Sequence, residues 1–191
     1  MAAKGKFLIL RRFRAGDSDV MLKAYGPYGM VKVFVQGGYV PEKGLLGYLE
    51  PFNLLSIVYQ QSGEVLFLKD IVEVQFLSYL SMDYSTYIWM NSVVAFMERW
   101  FLQYDPDIFN LVLRYLTLKT KNHDIFLIKF KLEFLRDLGL YKDSIFEENL
   151  RKVANLLLEE TSFVKLERLR ISKVILLDID KTIEDHLSNS L

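Results

Sequence analysis

Two periodicities divide the chain. Before residue 77, short runs rich in β-branched and aromatic residues are separated by Gly- and Pro-marked turns; beyond residue 80, apolar residues recur at i, i+3 and i+4. Phe7 to Phe13 reads as one strand and Val20 to Tyr25 as the next, with Gly16-Asp17-Ser18-Asp19 turning the chain between them. Gly26-Pro27-Tyr28-Gly29 is a strong turn signal. Met30 to Val35 then alternates, with Val31, Val33 and Val35 on one face and Lys32 and Phe34 on the other. Residues 39–50 read as a loop broken by Pro41, Gly44 and Gly47. Asn53 to Gln60 and Val65 to Phe76 pair across the turn Gln61-Ser62-Gly63-Glu64. Five short strands with tight turns predict a small closed barrel. OB-like barrels have that strand number; an SH3-like barrel is the competing solution, and strand count does not separate them.

The second half predicts helices. Tyr84, Tyr87, Ile88, Val94, Met97, Trp100, Phe101 and Tyr104 follow helical spacing behind Asp83 as N-cap. Asp105 caps the next helix, Pro106 takes its first position, and Ile108, Phe109, Val112, Leu113 and Leu116 form its stripe. Residues 124–138 fit two patterns. Ile128, Phe130, Leu132 and Phe134 alternate with Lys129, Lys131 and Glu133 as in a strand, yet Ile125, Ile128, Leu132 and Leu135 lie on one helical face. Length, and Leu138-Gly139 as a stop, favour the helix. Residues 144–160 and about 163–187 read as further helical segments. The predicted class is α+β: an N-terminal five-stranded OB-like β-barrel over residues 1–79, followed by a helical C-terminal domain over 80–191.

Composition narrows the chemistry. Hydrophobic residues make up 51% of the 191 positions, too many for a disordered chain. There is no cysteine, which excludes disulfides, thiolate zinc sites, iron–sulfur clusters and cysteine nucleophiles. The two histidines, His123 and His186, stand far apart, so neither a metal site nor any cofactor is expected. The N-terminus lacks the apolar core of a signal peptide, and no uninterrupted apolar run reaches membrane-spanning length. A soluble cytoplasmic protein without membrane association is expected. Net charge is zero but unevenly spread. Residues 1–46 carry Lys4, Lys6, Arg11, Arg12, Arg14, Lys23, Lys32 and Lys43 against only Asp17, Asp19 and Glu42.

That basic first quarter is interleaved with aromatics. Single-stranded nucleic acid needs cations to offset phosphate charge and flat rings on which bases stack. Arg11, Arg12, Arg14, Lys23, Lys32 and Lys43 are the candidate cations; Tyr25, Tyr28, Phe34 and Tyr39, with Phe13, are the candidate rings. The competing reading is a solvated surface over core aromatics. A second motif, Asp178-Ile179-Asp180-Lys181-Thr182 after a hydrophobic run, matches the nucleophile signature of haloacid-dehalogenase-type phosphatases. Too few residues follow Thr182 for the phosphate-binding lysine and acidic ligands of such a site. The motif is therefore expected on the polar face of a last helix, with Ile171, Val174, Ile175 and Ile179 inward. The carboxylates Asp143, Glu147, Glu148, Glu159 and Glu160 read as a solvated face, and Gly37-Gly38 lacks a phosphate-loop pattern. No catalytic residue is assigned.

A series of short motifs, in order along nearly the whole chain, resembles the RecO recombination-mediator family. These are Ile9-Leu10-Arg11-Arg12-Phe13-Arg14-Ala15-Gly16-Asp17-Ser18-Asp19, Tyr25-Gly26-Pro27-Tyr28-Gly29-Met30-Val31, Val35-Gln36-Gly37-Gly38, Leu49-Glu50-Pro51-Phe52 and Phe134-Leu135-Arg136-Asp137-Leu138-Gly139-Leu140. The resemblance implies a non-enzymatic DNA-repair and recombination protein: an OB-fold that binds single-stranded DNA, anneals complementary strands and, with RecR, helps load the RecA recombinase. It further implies contact with the C-terminal tail of single-strand-binding protein and a nucleoid-associated cytoplasmic location. Many members carry a four-cysteine zinc module after the Leu-Gly helix; here Leu140-Tyr141-Lys142 runs into another helix, and no zinc is expected. The loop after Gly37-Gly38, usually arginine-rich in that family, reads Tyr39-Val40-Pro41-Glu42-Lys43, which shifts the expected DNA contact toward Arg11, Arg12 and Arg14. The rival from another class is a scaffold that binds only partner proteins.

Overall fold

A computed structural model describes residues 2–101 and 103–191. Its strands are β1 (Ala3–Ala15), β2 (Asp19–Gly26), β3 (Gly29–Val35), β4 (Leu54–Ser62) and β5 (Val65–Gln75), closed into a barrel in the order β1-β2-β3-β5-β4. Neighbours are antiparallel except β3 and β5, which run parallel over Lys32–Val65, Val33–Leu66 and Phe34–Phe67. The expected OB-like barrel is therefore present. Its interior is filled by alternate residues of the strands: Phe7 and Ile9, Val20, Leu22 and Ala24, Val33 and Val35, Leu55, Ile57 and Tyr59, and Leu66. Leu49, from the loop between β3 and β4, joins them.

β1 departs from simple alternation. Phe7, Leu8, Ile9 and Leu10 are all buried, and the β1–β2 register shifts between Ile9 and Arg11. A bulge there re-aims the side chains that follow, as an extra residue in one strand does. At the end of β2 the chain must be glycine. A Cβ on Gly26 would stand 2.4 Å from Phe7 Cδ1 and 2.6 Å from the Lys6 carbonyl oxygen. Gly29, which reopens the chain into β3, has φ +74, a conformation other residues adopt at a cost.

Six α-helices follow among the described residues: α1 (Tyr84–Trp100), α2 (Pro106–Leu116), α3 (His123–Asp137), α4 (Glu148–Glu159), α5 (Phe163–Arg168) and α6 (Lys173–Ser190). The caps read from sequence are in place. Asp83 Oδ1 accepts from Thr86 N at 2.9 Å, and Asp105 Oδ1 accepts from Asp107 N and Ile108 N at 2.8 and 3.1 Å. Gly139, at φ +70, follows α3 as its stop. The single segment expected over 163–187 is instead two helices, because Leu169 breaks the pattern and Ser172 starts a new one. Secondary structure changes near residue 80 as anticipated, but the compact units divide later, between Phe109 and Asn110. The first unit thus contains the barrel together with α1.

In the second unit α3 is buried on nearly every side, which explains why its sequence also fits a strand. Its three buried charged residues, Lys129, Lys131 and Glu133, are partners of the surrounding helices. Lys129 Nζ donates to the carbonyls of Leu157 and Leu158 at 2.8 and 3.1 Å, a cation at the C-terminal end of α4. Glu133 accepts from Arg114 and from the Tyr115 hydroxyl, and lies 3.1 Å from Lys129. Lys131 bridges Asp180 and Glu184 of α6 at 2.5 and 2.9 Å. Buried charges persist when paired in this way. Asp180 of the Asp-x-Asp motif is thereby committed to a structural lysine, and Asp178 is exposed. The inward face of α6 is Leu176, Ile179, Ile183 and Leu187; Val174, expected inward, is exposed.

Candidate nucleic-acid interface

The barrel's outer face across β1, β2, β3 and β5 carries two adjacent cross-strand rows. Residues directly opposite each other share a face. Arg11 pairs with Lys23 and Lys23 with Lys32, which makes a cationic row. One pleat further along, Phe13 pairs with Met21, Met21 with Phe34 and Phe34 with Phe67, which makes an apolar, mostly aromatic row. Phe13 is 52% exposed and Phe67 37%, and the Phe34 and Phe67 rings lie 5.5 Å apart.

An open groove of about 720 Å³ takes in Lys23 and Lys32 of the first row and Phe13 and Met21 of the second, with Arg11, Phe34 and Phe67 outside its lining. Phe13, Met21, Lys23, Met30 and Lys32 form its floor; Tyr28 of the β2–β3 turn and Gly63-Glu64 of the β4–β5 turn flank it. The strand 2–3 face beside the loop between strands 4 and 5 is where OB-folds take oligonucleotides and oligosaccharides. Tyr28 is held at the rim by the Tyr59 hydroxyl, which donates to the Tyr28 hydroxyl at 3.0 Å, with the rings edge to face. Burial, reinforced by that hydrogen bond and by the neighbouring phenol, pushes the Tyr59 hydroxyl up to about 12, so it stays protonated and donating.

The residues singled out from sequence fall into three groups. Lys23, Lys32 and Tyr28 line the groove, and Lys32 is exposed with no ion pair among the described residues. Arg11 and Phe34 belong to the two rows. Arg12 and Arg14 do not join them: they stand opposite Leu22 and Val20, core residues, and so project to the other side of the strand. There Arg12 binds Glu50 at 2.7 Å and the Leu46 carbonyl at 3.2 Å, while Arg14 donates to the carbonyls of Gly16 and Asp17 in its own turn. Both guanidinium groups sit over Tyr39, 5.9 and 5.8 Å from its ring centre. Lys43 donates to the Gln36 carbonyl at 3.0 Å. Tyr25 cannot stack on a base. It is fully buried among Phe101, Tyr104 and Phe109, with its hydroxyl donating to the Gln103 carbonyl at 2.8 Å. Phe67, absent from the sequence set, joins the aromatic row only because β5 runs parallel beside β3.

The cationic row has a resident anion. Glu98 of α1 lies 3.0 Å from both Arg11 Nη2 and Lys23 Nζ, and the remaining Arg11 donors reach Glu98 Oε2 from Nε at 3.2 Å and Asn91 Oδ1 from Nη1 at 3.2 Å. Burial alone raises the Glu98 carboxyl, but the hydrogen bonds and charges of Arg11 and Lys23 outweigh it and hold the group below the usual carboxylate range. A carboxyl with a depressed folded pKa adds stability above its unfolded value, about 4.3, and loses it as pH falls through the folded value. Wild type is therefore expected to melt higher than Glu98→Gln near neutrality, with the gap closing as pH drops below about 4; thermal melts across that range measure it. Because Arg11 and Arg12 are half-buried and bonded, alanine replacements of Arg11, Arg12 and Arg14 together test stability as well as binding, contrary to what exposed arginines would allow.

Among the described residues no group of three or more His, Cys, Asp and Glu is placed to hold a metal ion, and no helix is long and apolar enough to cross a membrane. The molecule is thus a closed OB-like barrel with a cationic and aromatic outer face, followed by a helical region. No family model matches the chain. Over 148 residues it is 39% identical to an uncharacterized protein of Aquifex aeolicus (strain VF5), a match covering 78% of this chain and 69% of that protein. The chain belongs to the same family as this Aquifex protein.

Proposed function

We propose that the barrel binds single-stranded nucleic acid along the β2–β3 groove, with phosphates against the Lys23–Lys32 row and bases against Phe13 and the Phe34–Phe67 pair. The observation that carries this reading is the side-by-side placement of the two rows on an open face of an OB-like barrel. Stacking accepts any base, so binding is expected to tolerate sequence. With the resemblance of the chain's motifs, we further propose a RecO-type role: a non-enzymatic DNA-repair mediator that anneals strands, engages RecR and the single-strand-binding protein tail, and acts on DNA in the cytoplasm.

The test is a salt series of anisotropy titrations with a labelled oligothymidylate. Arg12 and Arg14 lie off the groove and Glu98 offsets one charge of the row, so about two to three phosphates are neutralised. The slope of log affinity against log salt is then about −1.5 to −2 for a single strand, shallower than four or five free cations would give. A slope near zero, or no binding, rejects the reading. A second reading is favoured by one observation: Phe13, Met21, Met30 and Tyr28 make the groove floor and rim largely apolar. A protein-only scaffold would use those side chains for a peptide, and calorimetry showing peptide capture without oligonucleotide binding would establish it.

A further inference from the structure

We infer that Glu98 of α1 is a built-in competitor for the nucleic-acid phosphate: it occupies the Arg11–Lys23 site in the free protein and is displaced when a strand binds. The inference rests on the groove reading above and concerns how that site is regulated.

Its basis is geometric. One oxygen of Glu98 takes Arg11 from two guanidinium nitrogens and the other takes Lys23, each cation at 3.0 Å. A phosphodiester offers the same thing, two anionic oxygens on one centre, and charge-assisted bonds from arginine suit either group. Lys23 lines the groove, and Glu98 holds it together with Arg11 at the β1–β2 end of the cationic row. The Glu98 side chain is 19% exposed, enough for solvent and ions to reach it. Arg11 is not stranded if Glu98 leaves. Asn91, two helical turns earlier on α1, still accepts from Arg11 Nη1 and keeps the guanidinium aimed along the same direction. By contrast the Arg12–Glu50 pair lies on the other side of β1 and should play no part.

Two measurements on the intact protein decide it. In the first, oligothymidylate titrations compare wild type with Glu98→Gln and with Glu50→Gln. The Glu98 variant is expected to bind several-fold more tightly at low salt with a salt slope close to that of wild type, since the displaced carboxylate leaves the same cations on the same number of phosphates; Glu50→Gln is expected to match wild type. Wild-type binding that is unchanged or weakened by Glu98→Gln overturns the inference while leaving the groove reading intact. Absence of binding by every protein overturns both. The second measurement needs no variant and covers the case of a destabilised one. Hydrogen exchange of wild type with saturating oligothymidylate is expected to speed up around Ala95 to Trp100, where α1 loses its tether. Unchanged or slower exchange there, with binding established, overturns the inference.

Discussion

Phe13→Ala combined with Phe67→Ala is expected to weaken oligothymidylate binding by about 100-fold or more while leaving the melting temperature nearly unchanged. Each aromatic–base stack is worth about 1–3 kcal/mol by alanine substitution. Neither ring belongs to the barrel core: both are exposed, and Phe67 lies tilted against Phe34 with ring centres 5.5 Å apart. Loss of stacking is therefore separated from loss of folding, since exposed substitutions rarely move stability by much. Anisotropy gives the affinity and circular dichroism the melt. A double variant that binds like wild type would place the bases elsewhere, and Tyr28 at the rim of the groove would become the next ring to replace.

Asn53→Leu is expected to be the most damaging single change to the barrel, at about 3–5 kcal/mol or roughly 10 °C in Tm. Asn53 is fully buried. Its Nδ2 donates to the carbonyls of Gly47 and Tyr48 at 3.0 and 3.1 Å, and its Oδ1 accepts from Ser78 N at 3.0 Å. One side chain thus ties the long β3–β4 loop to the segment leaving β5. Leucine fits the volume but orphans three backbone groups, and each buried unsatisfied group costs about 1–3 kcal/mol. Phe52 immediately before it has φ +73, a strained value for a residue with a large side chain, held by its own N–H donating to the Ile9 carbonyl at 2.8 Å. Asn53→Asp is expected not to rescue, because a carboxylate facing the Gly47 and Tyr48 carbonyls can only repel them. Urea denaturation of the three proteins checks both statements.

The strands of the barrel were legible because their signals are local. Val33 and Val35 against Lys32, and Gly26 to Gly29 between two β-rich runs, specify alternation and turning within a few residues. The caps Asp83 and Asp105 are equally local. What could not be read depends on which strands and helices meet. Nothing near Phe67 in sequence says that β5 will lie parallel to β3 and bring that ring beside Phe34. Nothing near Glu98 says that its helix turn will face Arg11 and Lys23. Arg11, Arg12 and Arg14 look like one cluster, but pleating and the bulge after Ile9 send Arg11 one way and the other two the opposite way. Tyr25 carries the same composition signal as Tyr28; only packing distinguishes a core ring from a rim ring. The break between α5 and α6 had one local sign, Ser172 as an N-cap, inside a segment whose apolar residues otherwise recur without interruption.

The parallel seam between β3 and β5 is short, spanning only Lys32–Val65, Val33–Leu66 and Phe34–Phe67. Among the described residues it is also the only junction of the cylinder made by parallel strands, and parallel pairing is slightly less stable per residue. If the cylinder breathes, it unzips there, and two strands with unpaired backbone become adhesive toward other copies of the chain. A polymer lying across Lys32 and Phe67 would work as a clasp over that slit. Occupancy of the groove would then protect the molecule from clumping, through the ordinary linkage between ligand and the closed form.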